Sequence, residues 1–458
     1  MKKGSSLATD KIDGTMTYTM TLRKDGSGDM LYAKEGTDKT QTLVLNNPAE
    51  LFSEMTPGDA VRFATIQNAG GGFHEGTEVA YQDAGVFKEA LKVDYRDRAS
   101  DTITTDYDTG KTEKLTKAVV DNLYGGQGSQ NVYLVLADTD KPTDTVLTAQ
   151  KAKLIRHRLS TDMDTYTKRH GQTQYFDDAN QNGGWVRIIG KTSDLDDVSS
   201  LYKAGAEIGV THEVESRADH RHRVGVGFGY MRSHGHYDGV SGSWHINDWT
   251  ATLYDTAEYN QEDAPRNDYW YRDSYVRLHG MKRHGEGYNS PLGIRRTQNT
   301  TSWAANISTE VGRSLPLTPT FTLIPQVQLQ ATWLSASSYS DGDGVKFREP
   351  SDWSLIGRAG VDAVKVFDTA TDTRAWFKAS VLHEFHGDQG LTAHNESDKW
   401  REASYREADG SSDTWYVVGA GFSRKIQKNT SFYVDVERTA GAGWKHAWEA
   451  HIGLQKTF

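Results

Sequence analysis

The carboxy-terminal segment of the chain alternates between two kinds of side chain. Within 447–458, Trp448, Ile452, Leu454 and Phe458 fall on one face, and glutamate, histidine, glycine and glutamine fall on the other. A period of two residues is typical of a β-strand with one apolar and one polar face. The pattern therefore predicts a strand that ends at an aromatic carboxy-terminus.

The same alternation recurs from about Trp185 onward. Val224–Tyr230 is the clearest case, because large apolar side chains alternate there with glycine alone. The pattern is less regular over 247–259 and 373–385. Twelve such segments are present, starting near residues 185, 203, 222, 247, 269, 299, 319, 351, 373, 413, 429 and 446. The sequence thus predicts twelve β-strands.

Long and short spacers mostly alternate between these segments. Outer-membrane barrels have this arrangement, with long loops at one end and short turns at the other. An even number of strands brings the first and last strands to the same side of the barrel, which we expect to be periplasmic. A soluble β-sandwich is the alternative. We predict an all-β fold whose main part is a 12-stranded transmembrane antiparallel β-barrel.

Composition agrees with this prediction and excludes some classes of protein. Only 36% of the 458 residues are hydrophobic, and the chain has no run of about 18 apolar residues, which excludes a helical membrane protein. A barrel hides its hydrophobicity, since only alternate residues face lipid. The net charge of -10 argues against a nucleic-acid partner. The chain has no cysteine, so it has neither disulfides nor thiol chemistry.

Two regions precede the predicted barrel of 185–458. Residues 1–140 are polar and rich in short strands, with turn signals at 46–48 and 56–58 that predict the end of a β-solenoid or a small sandwich. No apolar core typical of a signal peptide follows Met1. We therefore expect a carboxy-terminal fragment of a larger precursor, or a chain whose true start is missing.

The second region, 141–184, contains a stretch without glycine or proline. Residues 145–170 are expected to form a single helix that carries several bases, among them Lys151, Lys153, Arg156 and Arg158. An exposed linker helix is one interpretation of this pattern. A helix inside the barrel is the other, and the predicted inner face favours it.

The predicted inner face of the barrel is acidic. A twelve-stranded barrel leaves a lumen with a polar wall. A basic helix would be attracted into an acidic lumen and would plug it. The acidic residues expected to line the lumen are Glu207, Glu310, Asp362, Asp435 and Glu437.

The order of these regions, a β-rich part, a basic helix and twelve strands ending in phenylalanine, is also that of a known family. The chain resembles the carboxy-terminal part of a monomeric (type Va) autotransporter, with a pertactin-like passenger end followed by the autotransporter β-domain. The segments that carry the resemblance are Asp59–Thr65, Val132–Val135, Gly184–Arg187, Arg223–Tyr230, Ile324–Leu329 and Gly357–Gly360.

The resemblance implies an outer-membrane translocator that exports its own amino-terminal passenger and anchors it at the cell surface. It implies a helix in the pore, residues 1–140 outside the cell, and a monomer. The implied partners are the β-barrel assembly machinery, periplasmic chaperones, outer-membrane lipid and the chain's own passenger. Ile452, Leu454 and Phe458 would form the assembly signal, while Lys456 departs from the aromatic or apolar residue usual at its position.

Catalytic motifs are sparse in this sequence. Histidines at 220, 222, 234 and 236 are interpreted as polar surface residues, because spacing supplies no further metal ligand. Some autotransporters cut themselves at an Asn-Asn bond in the pore helix, but 145–170 contains no asparagine. We expect no enzymatic activity, cofactor or metal. An outer-membrane porin and an outer-membrane barrel hydrolase remain as alternatives.

Overall fold

The computed structural model of the protein separates into two compact units. One unit comprises residues 1–144 together with 289–294, and the other comprises 145–288 and 295–458. The structure describes residues 4–66, 72–97, 107–108, 114–115, 130–172, 182–217, 219–260, 268–289, 293–387, 390–397, 401–406 and 412–458. Residues 173–181 of the expected linker therefore lie outside the described residues.

The first unit begins as a β-solenoid. Strands β1 (Ser6–Lys11), β3 (Met30–Glu35) and β5 (Ala60–Ile66) pair in parallel, and β2 (Thr17–Met20) pairs in parallel with β4 (Thr42–Leu45) on a separate face. Parallel strands that recur with each turn of the chain form the rungs of a solenoid. This arrangement decides between the two expectations for the region, in favour of the solenoid and against the sandwich.

The rest of this unit is antiparallel. Strand β10 (Gln130–Pro142) pairs with β5 on one side and with β7 (Phe87–Asp97) on the other, and β7 pairs with β6 (Glu78–Ala84). Strands β8 (Tyr107–Asp108) and β9 (Lys114–Leu115) form a separate two-stranded ladder. The main sheet thus has the order β1-β3-β5-β10-β7-β6, with three solenoid strands followed by an antiparallel cap.

The core of the first unit lies between its two main sheets. Val61, Phe63, Leu91 and Leu134 are each no more than 3% exposed. The turn expected at 46–48 instead opens a short helix, α1 (Pro48–Glu54), in which proline occupies the first turn. Proline favours this position because its missing N–H group would be unpaired there in any case.

The second unit is a closed antiparallel barrel of twelve strands. The barrel strands are β11 (Gly183–Leu195), β12 (Ser199–Ser216), β13 (His220–His236), β14 (Gly242–Asn260), β15 (Tyr269–Tyr288), β16 (Arg295–Thr318), β17 (Phe321–Leu334), β20 (Asp352–Asp368), β21 (Thr373–Gly387), β24 (Asp413–Gln427), β25 (Thr430–Gly441) and β26 (Trp444–Thr457). The twelve predicted strands are confirmed, and their predicted starts lie within five residues of those observed.

The last strand closes the barrel against the first. Thr457 pairs with Gly183, and Trp444 pairs with Leu195 at the opposite end. The end with Gly183 and Thr457 is called here the terminal end, and the opposite one the loop end. The connections at the loop end span 196–198, 237–241, 289–294, 335–351, 388–412 and 442–443. Those at the terminal end span 217–219, 261–268, 319–320, 369–372 and 428–429.

The outer wall of the barrel is apolar. Ile208, Phe228, Leu253 and Ile307 are each at least 60% exposed on it, as lipid-facing side chains of a barrel are. Exposed aromatic residues border this band toward both ends. Those toward the loop end include Tyr202, Tyr230, Trp249, Trp303, Trp353 and Trp448, and those toward the terminal end include Tyr259, Trp270 and Phe458.

Four short strands within two connections form a separate sheet, called the loop sheet below. Strands β18 (Ser337–Ser340) and β19 (Val345–Glu349) follow β17, and β22 (Thr392–Asn395) and β23 (Ser404–Arg406) follow β21. They pair antiparallel in the order β18-β19-β22-β23. Two loops that are distant in sequence are thus joined at the loop end.

The expected single helix over 145–170 is wrong in one respect, because the segment forms two helices. These are α2 (Asp144–Ser160) and α3 (Tyr166–His170), separated by 161–165. No described helix is both long enough and apolar enough to cross a membrane. The interruption coincides with a run of Thr and Asp, residues whose side chains compete with helical hydrogen bonds.

Candidate functional site

The segment Thr145–Gln172 passes through the lumen of the barrel. Near the loop end, the backbone oxygen of Thr145 accepts a hydrogen bond of 2.9 Å from Gln298 of β16. Near the terminal end, the hydroxyl of Tyr433 donates to the backbone oxygens of Lys168 and Arg169, at 3.1 and 3.0 Å. This segment, called the plug below, therefore runs from the loop end toward the terminal end.

The part of the plug nearest the loop end is packed by apolar side chains. Ala152, Ile155 and Leu159 of α2 are buried in one cluster with residues of the barrel wall. The wall residues of this cluster are Leu195, Leu201, Tyr237, Trp244, Ile246, Met281, Ala304 and Leu334. The sequence-based expectation of a uniformly polar lumen is wrong at this level, because burial against α2 favours apolar side chains.

The interruption after α2 is stabilised by amides of the barrel. Asn306 donates to the oxygen of Ser160 at 2.8 Å, Gln330 to that of Thr161 at 3.0 Å, and Gln328 to that of Asp164 at 2.7 Å. A helix leaves its last carbonyl groups without intrahelical partners. Amides of β16 and β17 supply partners at the end of α2 and in the segment after it, so the helix can end within the lumen.

Asp164 is the centre of the charged layer beneath this point. Its carboxylate contacts Arg187 at 2.8 and 3.0 Å, Arg277 at 2.8 Å and Arg169 at 3.6 Å. Its side chain is 3% exposed. Two of these arginines belong to the barrel wall, so an acidic residue of the plug is held by basic residues of the wall.

Neighbouring charged residues of the plug also pair with wall residues of opposite charge. Asp162 lies 3.0 Å from Lys191 and 2.9 Å from Lys203. In the opposite sense, Lys168 of α3 lies 3.0 Å from Glu437 and 3.1 Å from Glu449. Ion pairs at this depth require close partners, because an unpaired buried charge is costly. The plug is therefore fixed by pairs of both polarities.

A buried histidine joins the last turn of α2 to the barrel wall near the loop end. His157 contacts Asp352 at 3.1 Å and Glu384 at 2.7 Å, and its side chain is 1% exposed. One carboxylate comes from β20 and the other from β21. The histidine thus connects the plug with two adjacent strands of the wall.

The sequence model of the autotransporter β-domain family matches residues 184–437, which is more than half of the chain. The chain belongs to the autotransporter family. Proteins of this family have outer-membrane barrels that translocate a passenger from their own chain.

Curated relatives of this autotransporter include pertactin. The pertactin autotransporter of Bordetella parapertussis is 24% identical over 304 residues, which cover 63% of this chain and 30% of the relative. The pertactin autotransporter of Bordetella bronchiseptica gives the same figures. The chain thus spans about a third of the length of the relatives that it matches.

Solved structures that are similar to this autotransporter include β-domains of other autotransporters. The β-domain of the Bordetella autotransporter BrkA has a TM-score of 0.48 and 18% identity, and the match covers 61% of this chain and all of that one. The transport unit of AIDA-I from Escherichia coli has a TM-score of 0.46 and 12% identity, with 68% and 98% covered.

The four predicted plug bases of this autotransporter lie along α2. Lys151 donates to the backbone oxygen of Asp197, and Lys153 is 2% exposed. Arg156 lies 3.2 Å from Glu349, and Arg158 contacts Asp413 and lies 3.7 Å from Glu384. These three acidic partners, Glu349, Asp413 and Glu384, are not among the five acids that the sequence predicted for the lumen.

Glu349 lies in β19, outside the twelve barrel strands. Burial would raise the pKa of its carboxyl, but the charges of Arg283 and Arg156 outweigh that effect and lower the pKa to about 2. Tyr339 adds a hydrogen bond of 2.9 Å. The loop sheet thus holds an ionised carboxylate against α2.

The five acids predicted for the lumen are all buried on the inner wall. Glu207 contacts Arg187, Glu310 lies 3.1 Å from Arg358, and Asp435 lies 2.7 Å from Lys378. These three are neutralised by bases of the wall itself. Three of the five also contact the plug: Asp362 accepts hydrogen bonds from Thr167 and Gln172, Glu437 pairs with Lys168, and Glu310 accepts a hydrogen bond of 3.4 Å from the backbone N–H of Tyr166.

Sequence reasoning missed the acids of the plug and the bases of the wall. Asp162 and Asp164 fall within the segment that was interpreted only through its bases. Arg187 and Arg277 occupy inward positions of strands whose acidic residues alone were considered. The alternation already placed both arginines on the inner face, so counting inward residues of both signs would have found them.

The predicted assembly residues lie on the outer wall. Ile452 and Leu454 of β26 are 46% and 42% exposed, and Phe458 is 69% exposed at the terminal end. They share this face with Trp448. Their position is that of a lipid-facing closing strand.

Proposed function

We propose that this chain exports its own amino-terminal passenger across the outer membrane and then anchors it at the cell surface. The path of the plug is the observation that carries this proposal. It connects the residues that precede the barrel with the first barrel strand by way of the lumen. A chain left in this position after export would have its passenger on the side of the loop end.

The proposed orientation puts the loop end outside the cell and the terminal end in the periplasm. The connection lengths support it, since long loops of outer-membrane barrels face outward. The two longest connections, 335–351 and 388–412, are both at the loop end. We therefore propose that residues 1–140 lie at the cell surface, because the plug is entered from that end.

The plug in its described position would close the barrel after export. Its upper part is packed with apolar side chains, and its lower part is held by buried ion pairs on several strands. A diffusion porin needs an open lumen and has no use for such packing. This contrast favours the translocator over the porin alternative.

Assembly and partners complete the proposal. We propose that the assembly machinery of outer-membrane barrels reads the closing strand through Ile452, Leu454 and Phe458, after periplasmic chaperones deliver the chain. The barrel would act as a monomer, in contact with lipid and with its own passenger. It would have no enzymatic activity of its own.

The orientation is tested with an epitope tag placed before Gly4. Proteinase K added to intact cells should remove this tag, while the barrel keeps its heat-modifiable migration in gels. The matched control carries the same tag in the connection 428–429, which should be protected until the outer membrane is permeabilised. Protection of the first tag and cleavage of the second in intact cells would refute the proposed orientation.

The closing role of the plug is tested by conductance in planar bilayers. The full chain should conduct weakly, and removal of 145–172 should open a stable pore. The control variant replaces the same segment by a flexible glycine-serine linker of equal length, which should also conduct. High conductance of the full chain, unchanged on deletion, would favour a porin instead.

A further inference from the structure

The outer wall of β12–β16 carries a polar surface directly beyond the loop-end aromatic border. Strand register aligns Tyr230, Trp249, Gly280 and Trp303 in one row across these strands. Tryptophan and tyrosine concentrate where the hydrocarbon region meets the headgroups. The next rows toward the loop end should therefore lie at headgroup depth.

The next two rows toward the loop end are rich in bases and hydrogen-bonding groups. The first consists of Ala204, Arg232, Asn247, Lys282 and Thr301, and the second of Tyr202, His234, His245, His284 and Asn299. None of these ten residues is acidic. We call the two rows the basic shelf.

Two cations of the basic shelf lack a carboxylate partner among the described residues, whereas its His284 lies 3.1 Å from Glu286. Arg232 and Lys282 are exposed, and among the described residues neither forms an ion pair with a carboxylate. Some bases elsewhere at the loop end have partners. Lys445 pairs with Asp196, and Arg438 lies over the ring of Trp448 at 5.4 Å. Arg232 and Lys282 thus place two such cations in a single row of the wall.

The basic shelf also contains a hollow whose lining side chains contact one another. A hollow of about 680 Å³ is lined by His245, Asn247, Lys282, His284, Asn299 and Thr301 among others. The rings of His245 and His284 lie 5.0 Å apart. The hydroxyl of Tyr230 donates to Asn247 at 2.8 Å, which fixes this amide beside the hollow.

We propose that the basic shelf binds the phosphate groups of the glycolipid in the outer leaflet. Phosphate oxygens accept hydrogen bonds from lysine, arginine, histidine and amide groups, and such bonds strengthen when the partners are charged. Basic pockets at headgroup depth recognise anionic lipid heads. The hollow would admit a phosphorylated sugar, while the acyl chains would lie on the apolar band below. This proposal rests on the orientation proposed above.

Binding is measured by native mass spectrometry on the full chain refolded in detergent. The probes are bisphosphorylated lipid A, the same lipid without phosphates, phosphatidylglycerol and inorganic phosphate. Lipid A with both phosphates should bind saturably and at least tenfold more tightly than each of the other three. Equal binding of the dephosphorylated lipid or of phosphatidylglycerol would refute the proposal, as would equal occupancy by inorganic phosphate alone.

The residues are tested with the double variant Arg232→Gln, Lys282→Gln. It should bind bisphosphorylated lipid A about tenfold more weakly, since each lost contact involves a charged donor. Lys445→Gln removes a compensated charge at the same end and should bind as the native chain does. Equal weakening by both variants would overturn the assignment to the shelf.

Two controls separate this proposal from folding and from orientation. The probe comparison on the unaltered chain needs no variant, so it remains decisive if the double variant does not fold. The tag assay reports orientation independently. A surface tag together with no preference for phosphorylated lipid would refute the shelf alone, whereas a periplasmic location of the tag would refute both.

Discussion

Replacement of Asp164 by asparagine is expected to loosen the plug. The carboxylate of Asp164 has contacts with three guanidinium groups, those of Arg187, Arg277 and Arg169. Asparagine keeps the size of the side chain but removes its charge. Its amide oxygen can accept hydrogen bonds, whereas its NH2 group would point toward cations.

The magnitude follows from the balance of buried charges. The three arginines face three carboxylates, Asp164, Glu207 and Asp273, all of them buried. Removal of one carboxylate leaves one uncompensated positive charge. Removing one partner of a buried pair costs about 3–5 kcal/mol, and the retained amide oxygen favours the lower end of this range. About 3 kcal/mol corresponds to roughly a hundredfold change in an equilibrium constant.

Single-channel recording in planar bilayers measures the result. Asp164→Asn should raise the fraction of time in the open state by about a hundredfold, while the barrel keeps its heat-modifiable migration. The matched control is Asp268→Asn, which removes the partner of Arg313 at 3.4 Å on the exposed surface. Exposed pairs contribute about 0–1 kcal/mol, so this variant should behave as the native chain does.

Three results would refute the reasoning. Native-like closure of the Asp164→Asn variant would mean that the charged layer does not hold the plug. An equal rise in opening for Asp268→Asn would mean that a general loss of barrel stability causes the effect. If Asp164→Asn lowers the unfolding temperature of the barrel but does not open the pore, the charged cluster stabilises the wall and does not hold the plug.

Three further outcomes are expected. Gly453→Val should lower the yield of folded barrel, since an added Cβ would lie about 2.0 Å from the ring of Tyr433, and overpacking costs about 1–3 kcal/mol. Acidification from pH 5 toward pH 2 should weaken closure, because the depressed pKa of Glu349 gives stability above its ordinary value of 4.5 that is lost as pH falls through about 2. Phe63→Asp should slow passenger display but leave barrel insertion intact, since this fully buried side chain belongs to the first unit.

Each of these outcomes has a control. Gly190→Ala should fold normally, because nothing lies within 4 Å of the added Cβ, and an equal loss of yield would contradict the steric explanation. Glu349→Gln should reduce the pH dependence of conductance between pH 5 and 2, and an unchanged profile would assign it to other groups. Heat-modifiability and tag accessibility are read together for Phe63→Asp, and equal loss of both would contradict the separation of the units.

The barrel could be predicted from the sequence because its signal is local. Lipid outside and a lumen inside impose a strict period of two on every strand, as the glycine and apolar alternation of Val224–Tyr230 shows. Strand limits were less certain, since β16 begins at Arg295 with a polar stretch that precedes its apolar centre. The loop sheet could not be predicted, because its pairing joins β19 with β22 across a whole hairpin of the barrel.

The plug was only partly predictable, because its contacts are long-range. Lack of glycine and proline over 145–170 correctly favoured helix, and the Thr and Asp residues of 161–165 are the only local sign of the interruption near Asp164. That interruption depends on amides such as Gln328 and Gln330, which are distant in sequence. The reciprocal charge pattern is equally non-local, since neither Asp164 nor Arg187 identifies its partner by sequence position.

The plug also bears on the mechanics of the barrel. An empty cylinder of twelve strands is one layer thick, and only bending of that layer resists flattening into an oval. Contacts from the plug reach β11, β15, β17, β21 and β25. They connect strands around the barrel through its centre and so resist a change in the shape of its cross-section. A barrel without its plug should therefore vary more in cross-section, even where every strand pair is intact.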